Sequence, residues 1–236
     1  MTTPIRAALA GVHVGDGAPV AVMGALNLSP GSFYEGSVVT RGDDLLRAAE
    51  RMVREGAALL DVGAMSTAPY LSGSVSASEE ARRLGWAVEI LASKLGVPVS
   101  ADTSRAEPAR AALEAGAAII NDVRGLTADP ALGPLLARAG VGVILTASEA
   151  GAGGTGSPVE TVLDVLTGSL RIATQAGIPG ERIVTDCASR ARQLLETNLE
   201  KLHVLARALL ERETLDGEEI NRVLLARPFQ EAPTPA

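Results

Sequence analysis

Residues 96–122, GVPVSADTSRAEPARAALEAGAAIIND, hold one complete strand, helix and strand. VPVSAD (97–102) and AAIIND (117–122) are short apolar runs that finish in polar residues, the pattern of buried parallel strands whose carboxyl ends open onto a site. Between them, 107–115 carries Ala and Leu at helical spacing, and Gly116 stands where such a helix would close. A unit of this kind predicts a parallel sheet covered by helices, with right-handed crossovers.

The same alternation extends from 19 to 187. It predicts strands over 20–26, 59–62, 97–101, 118–120, 141–146 and 183–185, and helices over 43–55, 78–95, 107–115, 130–139 and 158–176. Gly56, Gly96, Gly140 and Gly177 repeat the closing position of Gly116, and Ser78 with Glu79 and Glu80 reads as the start of the second helix. The fold class is α/β: a TIM-barrel-like (β/α) domain over 1–188, incomplete at about six βα units because no strand candidate follows Cys187. A helical tail is expected over 189–227, with Leu194, Leu195, Leu202, Leu205, Leu209 and Leu210 on one side, followed by a disordered Pro-rich end at 228–236.

Composition narrows the function classes. With 236 residues and 47% hydrophobic content the chain can build one large core, but two Phe, two Tyr and one Trp make that core aliphatic and leave no base-stacking platform. A net charge of −7 disfavours a nucleic-acid partner, whose affinity comes from clustered Lys and Arg. The single Cys187 rules out an internal disulfide and fits a reducing compartment. MTTPIRAALAG lacks the apolar stretch of a secretory signal, and no segment approaches the roughly 18 apolar residues of a membrane span. A cytoplasmic protein acting on small molecules is expected.

Three strand ends carry the chemistry: Asp102, Asn121 and, closing RIVTD at 182–186, Asp186. Side chains at the carboxyl ends of successive parallel strands converge on one face. A carboxylate, an amide and a second carboxylate there would suit a flat heterocycle rich in N–H donors. Blander readings exist for each: Asp102 and Asp186 as helix caps, Asn121-Asp122 as a turn, and Asn27 with Ser29-Pro30-Gly31 as a loop. His13 and His203 have no partners at ligand spacing, so a protein-ligated transition metal is not expected. Cys187 has no neighbouring His, and GAGGTG at 151–156 lacks the Lys of a phosphate-binding P-loop, leaving a small buried residue and a flexible loop.

Three loop motifs join these positions: NLSPGSF (27–33), DVGAMSTAP (61–69) and SADT (100–103). Together, over about 19–187, they resemble the dihydropteroate synthase family and the wider group of pterin-binding barrels, including methyltetrahydrofolate-dependent methyltransferases. The resemblance implies that Asp102, Asn121 and Asp186 hold a reduced pterin and carry the catalysis, that Asn27 lies near pyrophosphate and a Mg2+ ion, and that Ser66 and Thr67 meet phosphate or a p-aminobenzoate-type amine. Ala68 stands where the common folate enzyme has Arg, and Gly31 where it often has Asp; the forms STAPY and NLSPGSFYEGS look more like the methanopterin-type branch. The family's Ser-x-Arg-Lys and Arg-x-His loops have no counterpart, leaving Arg105 or Arg124 as substitute cations.

The implied activity is dihydropteroate synthase-like transfer in folate or methanopterin biosynthesis; the alternatives are methyl transfer from a methyl-tetrahydropterin to a corrinoid protein, or pterin binding without turnover. Residues 190–225 are similar instead to the helical carboxyl end of the AAA zinc metalloprotease family, without its His-Glu-x-x-His motif or nucleotide loop. Six open strands would expose two unpaired edges, which the apolar face of 190–210 or a second subunit in a homodimer is expected to cover.

Overall fold

The computed structural model describes residues 6–28, 42–64, 75–147 and 158–186. The chain divides into two units, Met1–Ala188 and Ser189–Ala236, and the helical tail and Pro-rich end lie in the second, outside the described residues. The first unit begins with an antiparallel hairpin that the alternation pattern does not announce, β1 (Arg6–Leu9) and β2 (Val12–Gly15). Its two-residue turn, Ala10-Gly11, has positive φ at both positions, 50° and 89°, the geometry that matches hairpin twist but that Asn-Gly or Asp-Gly usually marks in sequence.

Six parallel strands follow in simple spatial order: β3 (Val22–Asn27), β4 (Ala57–Gly63), β5 (Val99–Asp102), β6 (Ile119–Asp122), β7 (Gly142–Thr146) and β8 (Ile183–Asp186). Helices α1 (Gly42–Arg54), α2 (Ala77–Lys94), α3 (Ala106–Glu114), α4 (Leu132–Ala139) and α5 (Pro158–Ala176) alternate with them. The result is a curled half-barrel, the incomplete TIM-barrel-like domain that the sequence predicts.

Two differences from the predicted boundaries have local causes. The second helix begins after Ser76, not Ser78: the Ser76 hydroxyl accepts the Glu79 backbone N–H at 3.2 Å, the geometry of an N-cap. The fourth begins at Leu132 rather than at 130, because Asp129 captures the chain just before it, its carboxylate accepting the Ala131 N–H at 2.9 Å. Gly140 closes α4 in the left-handed region with φ 68°, whereas Gly96 has no such role and Leu95 ends α2 in an extended conformation.

Alternate residues of each strand serve two different layers. Leu60, Val62, Ala101, Ile120, Val143 and Leu145 pack outward against the helices in one large apolar core. Leu59, Ile119 and Ile144 face inward, where Leu9 of the hairpin joins them in a second, smaller cluster. The hairpin therefore fills the amino-end floor of the half-barrel, which directs the open, polar end toward the strand carboxyl termini. Floor packing is tight at Gly142, where an added Cβ would lie 2.9 Å from Leu9 Cδ2 and 3.3 Å from Ile119 Cγ1. Gly142→Val is expected to lower the urea unfolding midpoint by the equivalent of about 1–3 kcal/mol through overpacking; an unchanged midpoint would show that the hairpin does not seat there.

Candidate functional site

Register decides which side chains meet. Across the sheet, Asn27 pairs with Gly63, Gly63 with Asp102, Asp102 with Asn121, and Asn121 with Ile144, so Asn27, Asp102 and Asn121 occupy one layer on the inward face. Gly63 keeps that layer open: a Cβ there would lie 3.4 Å from Asp102 Oδ2 and 3.7 Å from Asn27 Oδ1. Those two headgroups thus flank the glycine from either side.

Asp186 stands on the same face one step nearer the rim, paired with Thr146, whose hydroxyl donates to its carboxylate at 3.4 Å. With adjacent strands about 4.8 Å apart, Asp186 lies roughly 10 Å across from Asn121. Asp102 and Asn121 are close neighbours; Asp186 forms the far wall and is exposed. Ser66 and Thr67 lie outside the described residues, as do Gly31, Ala68, Cys187 and His203. His13 is exposed on β2.

Beneath the first layer is a second that the strand-end pattern does not single out. Asp61 on β4 pairs with Ser100 on β5, two residues below Gly63 and Asp102, and is only 7% exposed. The Asn121 amide donates to Asp61 Oδ2 at 2.9 Å, linking the layers. Asp61 Oδ1, Ser100 Oγ and Asn121 Oδ1 are buried without a hydrogen-bond partner. Buried polar atoms are nearly always paired, so three such atoms on one inward face mark an unusual concentration of unsatisfied polar groups beneath the strand ends. Asp61 is legible in DVGAMSTAP only as a residue of the motif; its depth in the strand conceals its role.

The electrostatics agree. Burial pushes the Asp102 carboxyl well above its usual range, and the charges of Asp61, Asp122 and Glu80 push it further. Burial likewise raises Asp61, with the neighbouring Ser100 hydroxyl and the Asn121 amide opposing it. Asp122, the residue after Asn121, points to the other face, where its carboxylate accepts the Arg124 and Leu126 backbone N–H groups at 2.8 and 2.6 Å. It is a turn former, as the blander reading of Asn121-Asp122 holds for that half of the pair. Asp102 caps no helix, since Arg105 holds the N-cap position of α3 and makes no side-chain cap.

An inward face that gathers Asp61, Asp102 and Asn121 is complementary to a flat, donor-rich ring. A family described as pterin binding enzyme matches residues 23–220. The chain belongs to the pterin binding enzyme family. The dihydropteroate synthase of Mycobacterium leprae is 46% identical over 130 residues, 54% of this chain and 44% of that protein. The Bacillus subtilis dihydropteroate synthase is 34% identical over 165 residues, 70% of this chain and 57% of that protein. The solved Xanthomonas albilineans dihydropteroate synthase with 4-aminobenzoic acid is 32% identical, with a TM-score of 0.68, covering 85% of this chain and 74% of that one. The chain spans about half the length of the two curated relatives. The family match reaches residue 220, well into the 190–225 segment that resembles the metalloprotease family.

No helix among the described residues is long and apolar enough to cross a membrane. The raised Asp102 carboxyl fixes the sign of a pH effect. A carboxyl whose folded pKa lies above its unfolded value of 3.8 favours the folded state at low pH, and that contribution is lost as pH rises through the folded pKa. Asp102→Asn removes the penalty, so its urea midpoint should exceed that of the wild type at pH 7, with the gap narrowing toward pH 4. Equal midpoints at both pH values would mean that Asp102 is solvated, not held in an acidic pocket.

Proposed function

We propose that this protein is a dihydropteroate synthase-like transferase of folate or methanopterin biosynthesis. The observation that carries the reading is the inward layer of Asp102 and Asn121 over Asp61, linked by the Asn121 amide and holding unpaired polar atoms on the same face. A reduced pterin presents an amidine-like N–H edge that a carboxylate can accept bidentately, and ring nitrogens and a carbonyl that suit an amide able both to donate and to accept. Asp102 and Asn121 would grip that edge while Asp186, across the mouth, steadies the ring's other end.

In the proposed reaction the amine of a p-aminobenzoate-type substrate attacks the exocyclic methylene of hydroxymethyl-dihydropterin diphosphate. A C–N bond forms, the C–O bond to the diphosphate breaks, pyrophosphate departs, and the amine proton passes to water. Asp102 lies at the pterin end, where its negative charge would stabilise cationic character developing at the methylene. Asn27, Ser66 and Thr67 would meet the diphosphate or the incoming amine; the Xanthomonas relative's 4-aminobenzoic acid supports that amine class. Positioning and electrostatics would supply most of the rate.

The reading extends to a Mg2+ ion, which Asn27 would help to hold together with the substrate's phosphates. The described residues contain no group of three or more His, Cys, Asp or Glu able to hold a metal, while Asn27 places an amide oxygen at the mouth. Mg2+ keeps several waters and is commonly shared with substrate phosphates, so one amide ligand is compatible with it. There it would neutralise charge on the departing pyrophosphate. The reading includes a cytoplasmic setting and a homodimer, the latter because β3, with Val22 and Met23 exposed by 55% and 40%, ends the described sheet as an open edge.

Incubating the purified chain with the pterin diphosphate and p-aminobenzoate should release pyrophosphate. Asp102→Asn should weaken reduced-pterin binding roughly 10- to 100-fold, the scale of a lost charged hydrogen bond. Pterin binding without pyrophosphate release would overturn the transferase reading in favour of a silent binder, or of a methyltransferase if methyl passes to a corrinoid protein. No binding of any reduced pterin would overturn all three.

A further inference from the structure

Glu80 lies in the first turn of α2, behind the strand ends, yet its carboxylate is almost wholly buried, with 1% exposure. Its Oε1 accepts the Thr103 hydroxyl. Its Oε2 lies 3.2 Å from Arg105 Nη1, a charge contact without hydrogen-bond geometry, and that nitrogen donates to the Val75 carbonyl at 2.9 Å. The Thr103 hydroxyl in turn accepts the Arg105 backbone N–H at 3.3 Å, and the Thr103 N–H donates to the Asn121 carbonyl at 3.0 Å. Asp129 secures the far end of the same turn, accepting the Ala106 N–H at 2.7 Å.

The turn from Asp102 to Ala106 is therefore held at three points, and one of them is a buried carboxyl, which burial pushes above its usual range against the opposing Thr103 hydroxyl and Arg105. A buried carboxylate with a single cationic neighbour is a poor stabiliser, and an apolar side chain of similar volume is often as stable or better. A carboxyl retained there needs another reason. Arg105 supplies one, since it joins the turn to Val75, where the described chain resumes ahead of α2.

We propose that Glu80 is a positioning residue: it fixes the Asp102-to-Arg105 turn, and through Arg105 the chain at Val75, so that Asp102 meets its ligand in a single geometry. The ligand half of this inference rests on the pterin reading of the site; the geometric half does not. Glu80 touches no substrate and acts only through Thr103 and Arg105.

The test uses the full chain and two readouts, calorimetric titration with a reduced pterin and amide hydrogen exchange over 103–106. Glu80→Leu should retain a cooperative urea transition, speed exchange over 103–106 at least roughly tenfold, and weaken the pterin Kd by a similar factor. Glu80→Gln, which still offers Thr103 an acceptor, should recover most of both. A folded Glu80→Leu with wild-type exchange at 103–106, or with faster exchange but wild-type pterin affinity, would overturn the proposal. Should Glu80→Leu not fold, Thr103→Val and Arg105→Ala take its place, and unchanged exchange or unchanged affinity in both would overturn it equally. Failure of the wild type to bind any reduced pterin sinks the pterin reading alone, and exchange then decides whether Glu80 positions the turn.

Discussion

The parallel register of β4, β5 and β6 places Gly63, Asp102 and Asn121 side by side, and the rest of the site depends on it. Because side chains alternate between faces, a slip of one residue would turn Asp102 toward the helices and bring Ala101 into the pocket. Apolar packing resists that slip: Ala101 and Ile120 are wholly buried against α2, α3 and their neighbours. The outer core thus aims the inner layer. Hydrogen bonds past the strand ends, Leu28 N–H to the Gly63 carbonyl and Thr103 N–H to the Asn121 carbonyl, carry the register up to the rim.

That arrangement gathers negative charge that no ion pair balances among the described residues. Asp61 and Asp102 share the inward face, Asp122 lies just behind, and Arg105 is turned toward Glu80 and Val75. A fold optimised only for stability would not keep two raised carboxyls and three unpaired polar atoms on one side. On the proposed reading, a bound ring that donates N–H groups to Asp102 would offset part of that cost.

Much of this can be read in the sequence because each strand is a short apolar run with a polar end. β5 and β6 are visible in VPVSAD and AAIIND, and Asp102 and Asn121 mark their last positions. Side chains whose role comes from tertiary contact are harder to read. Asp61 looks like an interruption in an apolar run until pairing sets it beside Ser100 and under Asn121. Glu80 looks like an acid placed for the helix dipole, whereas its partner lies 23 residues away. The hairpin escaped for a different reason: Ala10-Gly11 lacks the usual turn residues, and Arg6–Leu9 is too short and too Ala-rich to show a strand pattern.

The most direct measurement is a crystal structure of the full chain with a reduced pterin bound. The account predicts the ring inside the half-barrel mouth, with its N–H edge about 2.7–3.1 Å from the Asp102 carboxylate and its polar edge within the same reach of the Asn121 amide. A ring bound on the helix-covered face, or at the mouth with Asp102 and Asn121 both turned away from it, would contradict the account.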